Sequence, residues 1–132
     1  MHRYVAMLWT DADDRYITEW ALVETGSEVD IRFIADIYEL EDVCDQEGEP
    51  ALILLNDRGS IHGGHEQLSM LKSHTRFSHI PVIILGEVST ADYIADCYRA
   101  GANSFITKPS TIAGTREKVA LFFRYWFDVA EV

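Results

Sequence analysis

An α/β fold built on a mostly parallel sheet is predicted by three features of this 132-residue sequence. Short apolar runs, five in number, alternate with longer segments of helical period. Most of the runs are continuously hydrophobic instead of alternating, as strands covered by helices on both faces must be. The length suits one well-formed core, so a single domain over residues 1–132 is expected.

The elements follow in order. Tyr4 to Leu8 is continuously apolar and reads as a central strand. Asp13 is placed to cap the first helix, whose inner face carries Ile17, Trp20 and Ala21. Val29, Ile31 and Phe33 alternate with Asp30 and Arg32, the pattern of a strand with one wetter face near a sheet edge. Ile37, Leu40 and Cys44 mark the second helix, and Ala51 to Leu55 is a second continuous strand. Leu68 and Leu71 belong to a third helix, followed by an apolar strand at Val82 to Leu85. Ala91, Ile94, Ala95 and Tyr98 share one face of a fourth helix, and Gly101 is placed to end it in a left-handed residue. Phe105 and Ile106 form a short fifth strand.

The last helix is apolar over more of its circumference than one core contact needs. Val119, Phe122, Phe123, Trp126 and Ala130 lie on one stripe, and Leu121, Tyr125 and Phe127 fall partly outside it. Such a surplus marks an interface.

Composition removes several function classes. Eleven basic against twenty-two acidic residues give a formal charge of −11, which disfavours nucleic acid and anionic membranes as partners. Apolar residues make up 48% and charged residues 25%, the profile of a folded soluble domain. No apolar stretch approaches the ~20 residues that span a bilayer, and no basic-then-apolar leader opens the chain, so a cytoplasmic protein is expected. Cys44 and Cys97 both read as reduced thiols on helical apolar faces.

Other motifs are weak. His62 and His65 have a His-x-x-His spacing, with His74 and His79 further on, but no third ligand is fixed and a surface loop is the simpler reading. Asp11, Asp13 and Asp14 lack the glycine and terminal glutamate of a calcium loop and read as a solvated helix start. No phosphate-binding glycine loop, nucleophile elbow or dinucleotide fingerprint occurs, so no catalytic residue is assigned and no enzyme is expected.

The stretches Asp13 to Ile17, Pro50 to Leu55, Pro81 to Leu85 and above all Gly101 to Pro109 carry a resemblance that covers the whole chain. The sequence resembles response-regulator receiver domains, and looks most like the stand-alone receivers that partner phytochrome-type kinases. The resemblance implies the CheY-like, flavodoxin-like fold: a doubly wound five-stranded parallel sheet in the order 2-1-3-4-5 with helices on both faces. It also implies a phosphoacceptor aspartate, an acidic pair holding Mg²⁺, and groups that grip the phosphoryl oxygens, because phosphoryl transfer is catalysed by positioning and charge neutralisation.

Most of these positions are altered. The acceptor position holds Asn56, the acidic pair is replaced by Trp9 and Thr10, and Gly86 stands where the family has a hydroxyl. Lys108, followed by Pro109, and the accompanying aromatic Phe105 remain. Asn56 can accept a hydrogen bond from Lys108 but offers no nucleophilic anionic oxygen. Asp57 is an alternative acceptor if a bulge re-aims it, since a one-residue slip turns a side chain to the opposite face. Asp11 with Asp57 would make only a weak Mg²⁺ site, so no cofactor is expected.

These residues suggest a receiver degenerate at its phosphorylation site, a protein-interaction module in two-component signalling. Its expected partners are a histidine kinase, a phosphotransfer protein or another signalling protein. A homodimer through the fourth and fifth helices is also expected, with Tyr98, Phe122, Tyr125, Trp126 and Phe127 as interface candidates. Two alternatives stay open: a phosphoacceptor that uses Asp57, and a small-ligand or flavin-binding protein of the same architecture with Trp9 near its crevice.

Overall fold

Three of the apolar runs are buried at every residue, and burial on both faces puts them inside the sheet. A computed structural model describes residues 4–8, 12–25, 30–57, 64–87, 90–108 and 111–126. Strands and helices alternate strictly: β1 (Tyr4–Leu8), α1 (Ala12–Thr25), β2 (Asp30–Ile34), α2 (Ile37–Glu47), β3 (Leu52–Asp57), α3 (Gly64–Ser73), β4 (Val82–Gly86), α4 (Ala91–Arg99), β5 (Ser104–Thr107) and α5 (Ile112–Arg124). All pairings are parallel and the order is β2-β1-β3-β4-β5, the doubly wound arrangement expected. Of β2, only Ile34 is fully buried, consistent with its place at an edge.

Alternation along each strand divides the core in two. Tyr4, Ala6, Leu8, Ile53, Leu55, Val82 and Ile84 face α2, α3 and α4, meeting Leu40, Cys44, Leu68, Leu71 and Cys97. Val5, Met7, Leu52, Leu54, Ile83 and Leu85 face α1 and α5, meeting Ile17, Ala21, Val119, Ala120 and Phe123. Each such Leu or Ile, buried completely, contributes on the order of 2 kcal/mol from apolar area alone.

Three local features differ from the sequence reading. The first helix already includes Ala12, so Asp13 lies inside its first turn and is not the cap. Negative charge there still suits the helix dipole. Asp36 is the clear cap of α2: its carboxylate accepts the Glu39 N–H at 2.8 Å, while Glu39 reaches back to the Ala35 N–H at 3.1 Å. Thirdly, α4 does not bury the face carrying Ala91 and Tyr98. Tyr93, Cys97 and Ala100 point into the core, and Ala91 and Tyr98 are exposed. The 91/94/95/98 stripe is a real helical face, but the sheet selects the neighbouring one, leaving Ile94 and Ala95 half-buried at its border.

The end of α4 is as expected. Gly101 has φ +113°, its N–H reaches Tyr98 O, and Ala102 N–H reaches Cys97 O, the paired bonds of a Schellman stop. A Cβ on Gly101 would also press on the Lys72 stem at 3.0 Å. The outer edge of β5 is covered from both sides. Tyr98 Oη accepts the Phe105 N–H at 3.0 Å, and Lys118 Nζ donates to Thr107 O at 2.7 Å. Strand addition at this edge is thereby blocked.

Candidate functional site

At the carboxyl edge of the sheet, β3 stays in regular register to its end, with Asn56 opposite Leu85 and Asp57 opposite Gly86. No bulge intervenes, so the two side chains leave the strand on opposite faces.

Asn56 turns toward the α1–α5 side and is 5% exposed. Its Oδ1 accepts a hydrogen bond from Lys108 Nζ at 2.9 Å, the contact expected from the sequence. Lys108 follows β5 and is positioned by its own N–H, which donates to Gly86 O at 2.8 Å. A cation and a neutral amide thus meet where a lysine and a carboxylate would meet in a phosphate-accepting site.

Asp57 turns to the α4 side and is 1% exposed. Its Oδ2 accepts the Tyr93 hydroxyl at 2.6 Å, and the same hydroxyl accepts the His65 N–H at 3.3 Å. Burial, reinforced by the Asp57 carboxylate, pushes the Tyr93 phenol well above its ordinary range. Burial also pushes the Cys97 thiol up, opposed by its hydrogen bond with Tyr93.

Tyr93 meets Phe105 edge to face, with ring centroids 6.2 Å apart. The Phe105 ring occupies the space over Gly86, where an added Cβ would lie 2.5 Å from Cζ. The glycine therefore makes room for the aromatic. Asp57, Tyr93, Phe105 and Gly86 tie β3, α4, β5 and β4 into one packed unit.

The sequence reading named three members of this unit and missed Tyr93. The available signal was the i, i+4 spacing of Tyr93 and Cys97 after the Thr90 cap, whose Oγ1 accepts the Tyr93 N–H at 3.2 Å. Trp9, Thr10, Asp11, Pro109 and Phe127 lie outside the described residues, as do Ala130, His62 and Gly63. His74 and His79 are drawn to Glu41 at 3.1 Å and Glu49 at 2.6 Å, on the α2 side of the loop after α3.

Among the described residues, no group of three or more His, Cys, Asp or Glu side chains is placed to hold a metal. At the sheet edge one amide oxygen is engaged by an ammonium, and the carboxylate lies on the other face with a phenol.

The interface candidates separate into two kinds. Tyr98 and Tyr125 are 47% and 56% exposed. Phe122 and Trp126 instead stack on each other, with centroids 5.9 Å apart, and pack against the α1–α5 core cluster. Their spacing of four puts them beside the buried Val119–Phe123 stripe, and each is half-buried against it.

No protein-family model matches the chain. It is 31% identical over 77 residues to the probable methanogenesis regulatory protein FilR2 of Methanothrix harundinacea, a match covering 58% of this chain and 50% of that protein. The matched region is thus about half the length of that relative. Among solved structures, the phosphorylated cyanobacterial phytochrome response regulator RcpA superposes with a TM-score of 0.82 at 24% identity, over 99% of this chain and 98% of that one. A response regulator from Hahella chejuensis superposes with a TM-score of 0.80 at 25% identity, over 98% of both chains. With the strand order and the five helices, these likenesses establish that the chain has the CheY-like receiver fold of response regulators.

Proposed function

We propose that this chain is a receiver-like protein-interaction module of two-component, phosphorelay signalling that works without phosphorylation of an aspartate and without catalytic turnover. The observation that carries this reading is the Lys108 Nζ to Asn56 Oδ1 hydrogen bond at 2.9 Å, with Asp57 buried on the other face against Tyr93. The amide keeps the lysine's geometric partner and removes the nucleophile. The sole carboxylate described at the edge of β3 serves as an anchor for α4.

On this reading the protein docks constitutively onto a histidine kinase, a phosphotransfer protein or another signalling protein, and Mg²⁺ is not part of the working molecule. The docking surface is the exposed side of α4 and α5, where Tyr98 and Tyr125 stand out. The acidic charge of −11 argues against nucleic acid and anionic membranes, and no helix among the described residues is long and apolar enough to cross a bilayer. A cytoplasmic location agrees with such partners.

The test is intact-mass spectrometry after incubation with acetyl phosphate and Mg²⁺, beside Asp57→Ala and Asn56→Asp variants. The wild-type chain is expected to stay unmodified. A single phosphoryl adduct that disappears in Asp57→Ala would overturn the reading and restore a phosphoacceptor on the opposite face.

A further inference from the structure

The side of α5 away from α4 carries an apolar surface that the core does not use. Tyr16, Trp20 and Val23 recur along α1 at spacings of four and three and so share one face, of which Tyr16 is 59% and Val23 80% exposed. Trp20 is half-buried: it packs against the core cluster on one side, and the Arg116 guanidinium of α5 sits over its ring at 3.7 Å. Beside it, Leu121 of α5 is 62% exposed. Between the helices runs a groove of about 290 Å³ lined by Trp20, Glu117, Ala120, Leu121 and Arg124. Trp20 and Leu121 line this groove, and the exposed Tyr16 and Val23 share the α1 face with Trp20, an apolar surface of the kind that marks an association site.

The charges around the groove specify the occupant. Glu117 and Arg124 are two helical turns apart, about 10 Å along the axis, too far to pair within one helix. They lie symmetrically about the point between Ala120 and Leu121. If a second α5 crosses antiparallel with its two-fold axis at that point, each Glu117 meets the other copy's Arg124, and each Leu121 enters the other copy's groove. The helices are also opposite in charge: α5 has three basic residues and one acidic, α1 one basic and four acidic. Laying α5 of one copy across α1 of the other is a way for so acidic a chain to meet itself without repulsion, and a two-fold contact is self-complementary by construction.

We propose that two copies of this chain associate through the α1–α5 face, with Leu121 of each seated in the other's groove and reciprocal Glu117–Arg124 pairs fixing the register. This rests on the reading of the chain as an interaction module and names one partner, a second copy. It also moves the self-contact to the α1 side of α5, leaving the α4 side for other proteins.

The experiment is molar mass by light scattering and sedimentation across a concentration series, with circular dichroism confirming that each variant is folded. The wild-type chain is expected to reach twice its monomer mass. Leu121→Asp is expected to abolish the dimer, Glu117→Arg and Arg124→Glu each to weaken it at least tenfold, and the double swap to restore it. Tyr98→Asp on α4 is expected to leave it intact. A wild-type chain that stays monomeric throughout would overturn the proposal. So would a dimer indifferent to Leu121→Asp, or one broken by Tyr98→Asp. A phosphoryl adduct on Asp57 would instead sink the phosphorylation-independent reading, and the mass of the assembly does not bear on that.

Discussion

Asn56 and Asp57 are neighbours in the chain, almost equally buried, and belong to opposite halves of the molecule. Asn56 faces the α1–α5 half and meets a lysine; Asp57 faces the α2–α4 half and meets a phenol. The side-chain period of two has separated what a phosphate-accepting site needs together: the carboxylate is on one face, and the lysine meets an amide on the other. The difference teaches that a carboxylate's presence in the sequence near the acceptor position says little about chemistry until its face is known.

The largest effect is expected on the Asp57 side. Asp57→Ala leaves the Tyr93 hydroxyl without its carboxylate acceptor and removes packed volume from a fully buried position. The loss should be about 3 kcal/mol, since bonds to charged groups are worth roughly 1.5–3 kcal/mol and an orphaned donor adds to that. Thermal or urea unfolding measures it. A loss below about 1 kcal/mol would mean that Asp57 is not the anchor of α4.

Next comes Gly86→Ser. Its Cβ would lie 2.5 Å from Phe105 Cζ, so the ring must move. Overpacking of this kind costs about 1–3 kcal/mol. Gly86 has no positive φ to strain, so the whole penalty is steric and should vanish when Phe105→Ala supplies the space. A double-mutant cycle reads that coupling. Additive effects would show that the ring and the glycine are not a matched pair.

These two positions also show what the sequence made legible. The strands were legible because continuous apolar runs admit few other readings, and the contact of Lys108 with Asn56 was implied by the resemblance to receiver domains. Tyr93 was not, because the apolar stripe of α4 at Ala91, Ile94, Ala95 and Tyr98 is as regular as the one at Tyr93, Cys97 and Ala100. Only the sheet beneath decides between two adjacent helical faces. The exposed stripe of Tyr16 and Val23 was invisible for a related reason: spacing shows that residues share a face but not whether something covers it. Phe122 and Trp126 show the same ambiguity from the other side: both pack against the core and both keep part of their surface exposed.

A third, smaller effect is a dependence on alkaline pH. The Tyr93 phenol is raised by burial and by Asp57, and the Tyr4 phenol by burial and by Cys44. A tyrosine whose folded value is raised holds its proton more tightly when folded. Its contribution is therefore fully present below the unfolded value of about 10 and is lost as pH rises beyond it, with a slope of at most about 1.4 kcal/mol per pH unit per group. Stability curves should fall above about pH 10, and Tyr93→Phe should flatten that fall. An unchanged slope would place Tyr93 outside the titrating set.

The smallest change in stability is expected from Asn56→Asp, on the other face. The substitution puts a carboxylate against Lys108, and at this buried position the Coulombic gain and the desolvation of the new charge nearly cancel, leaving less than about 1 kcal/mol. Its signature is in pH dependence. A carboxylate beside a lysine titrates below its unfolded value of about 3.9, so any stability it adds is present above that pH and lost as pH falls through the folded value. The wild-type amide has no proton to exchange there, so the pH dependence of the two proteins should diverge only in acid, where the variant loses whatever stability the carboxylate adds at neutral pH. If Asn56→Asp destabilises by several kcal/mol near neutral pH, then Lys108 is not free to neutralise a charge at this position, and the wild-type amide is required by the fold instead of merely tolerated by it.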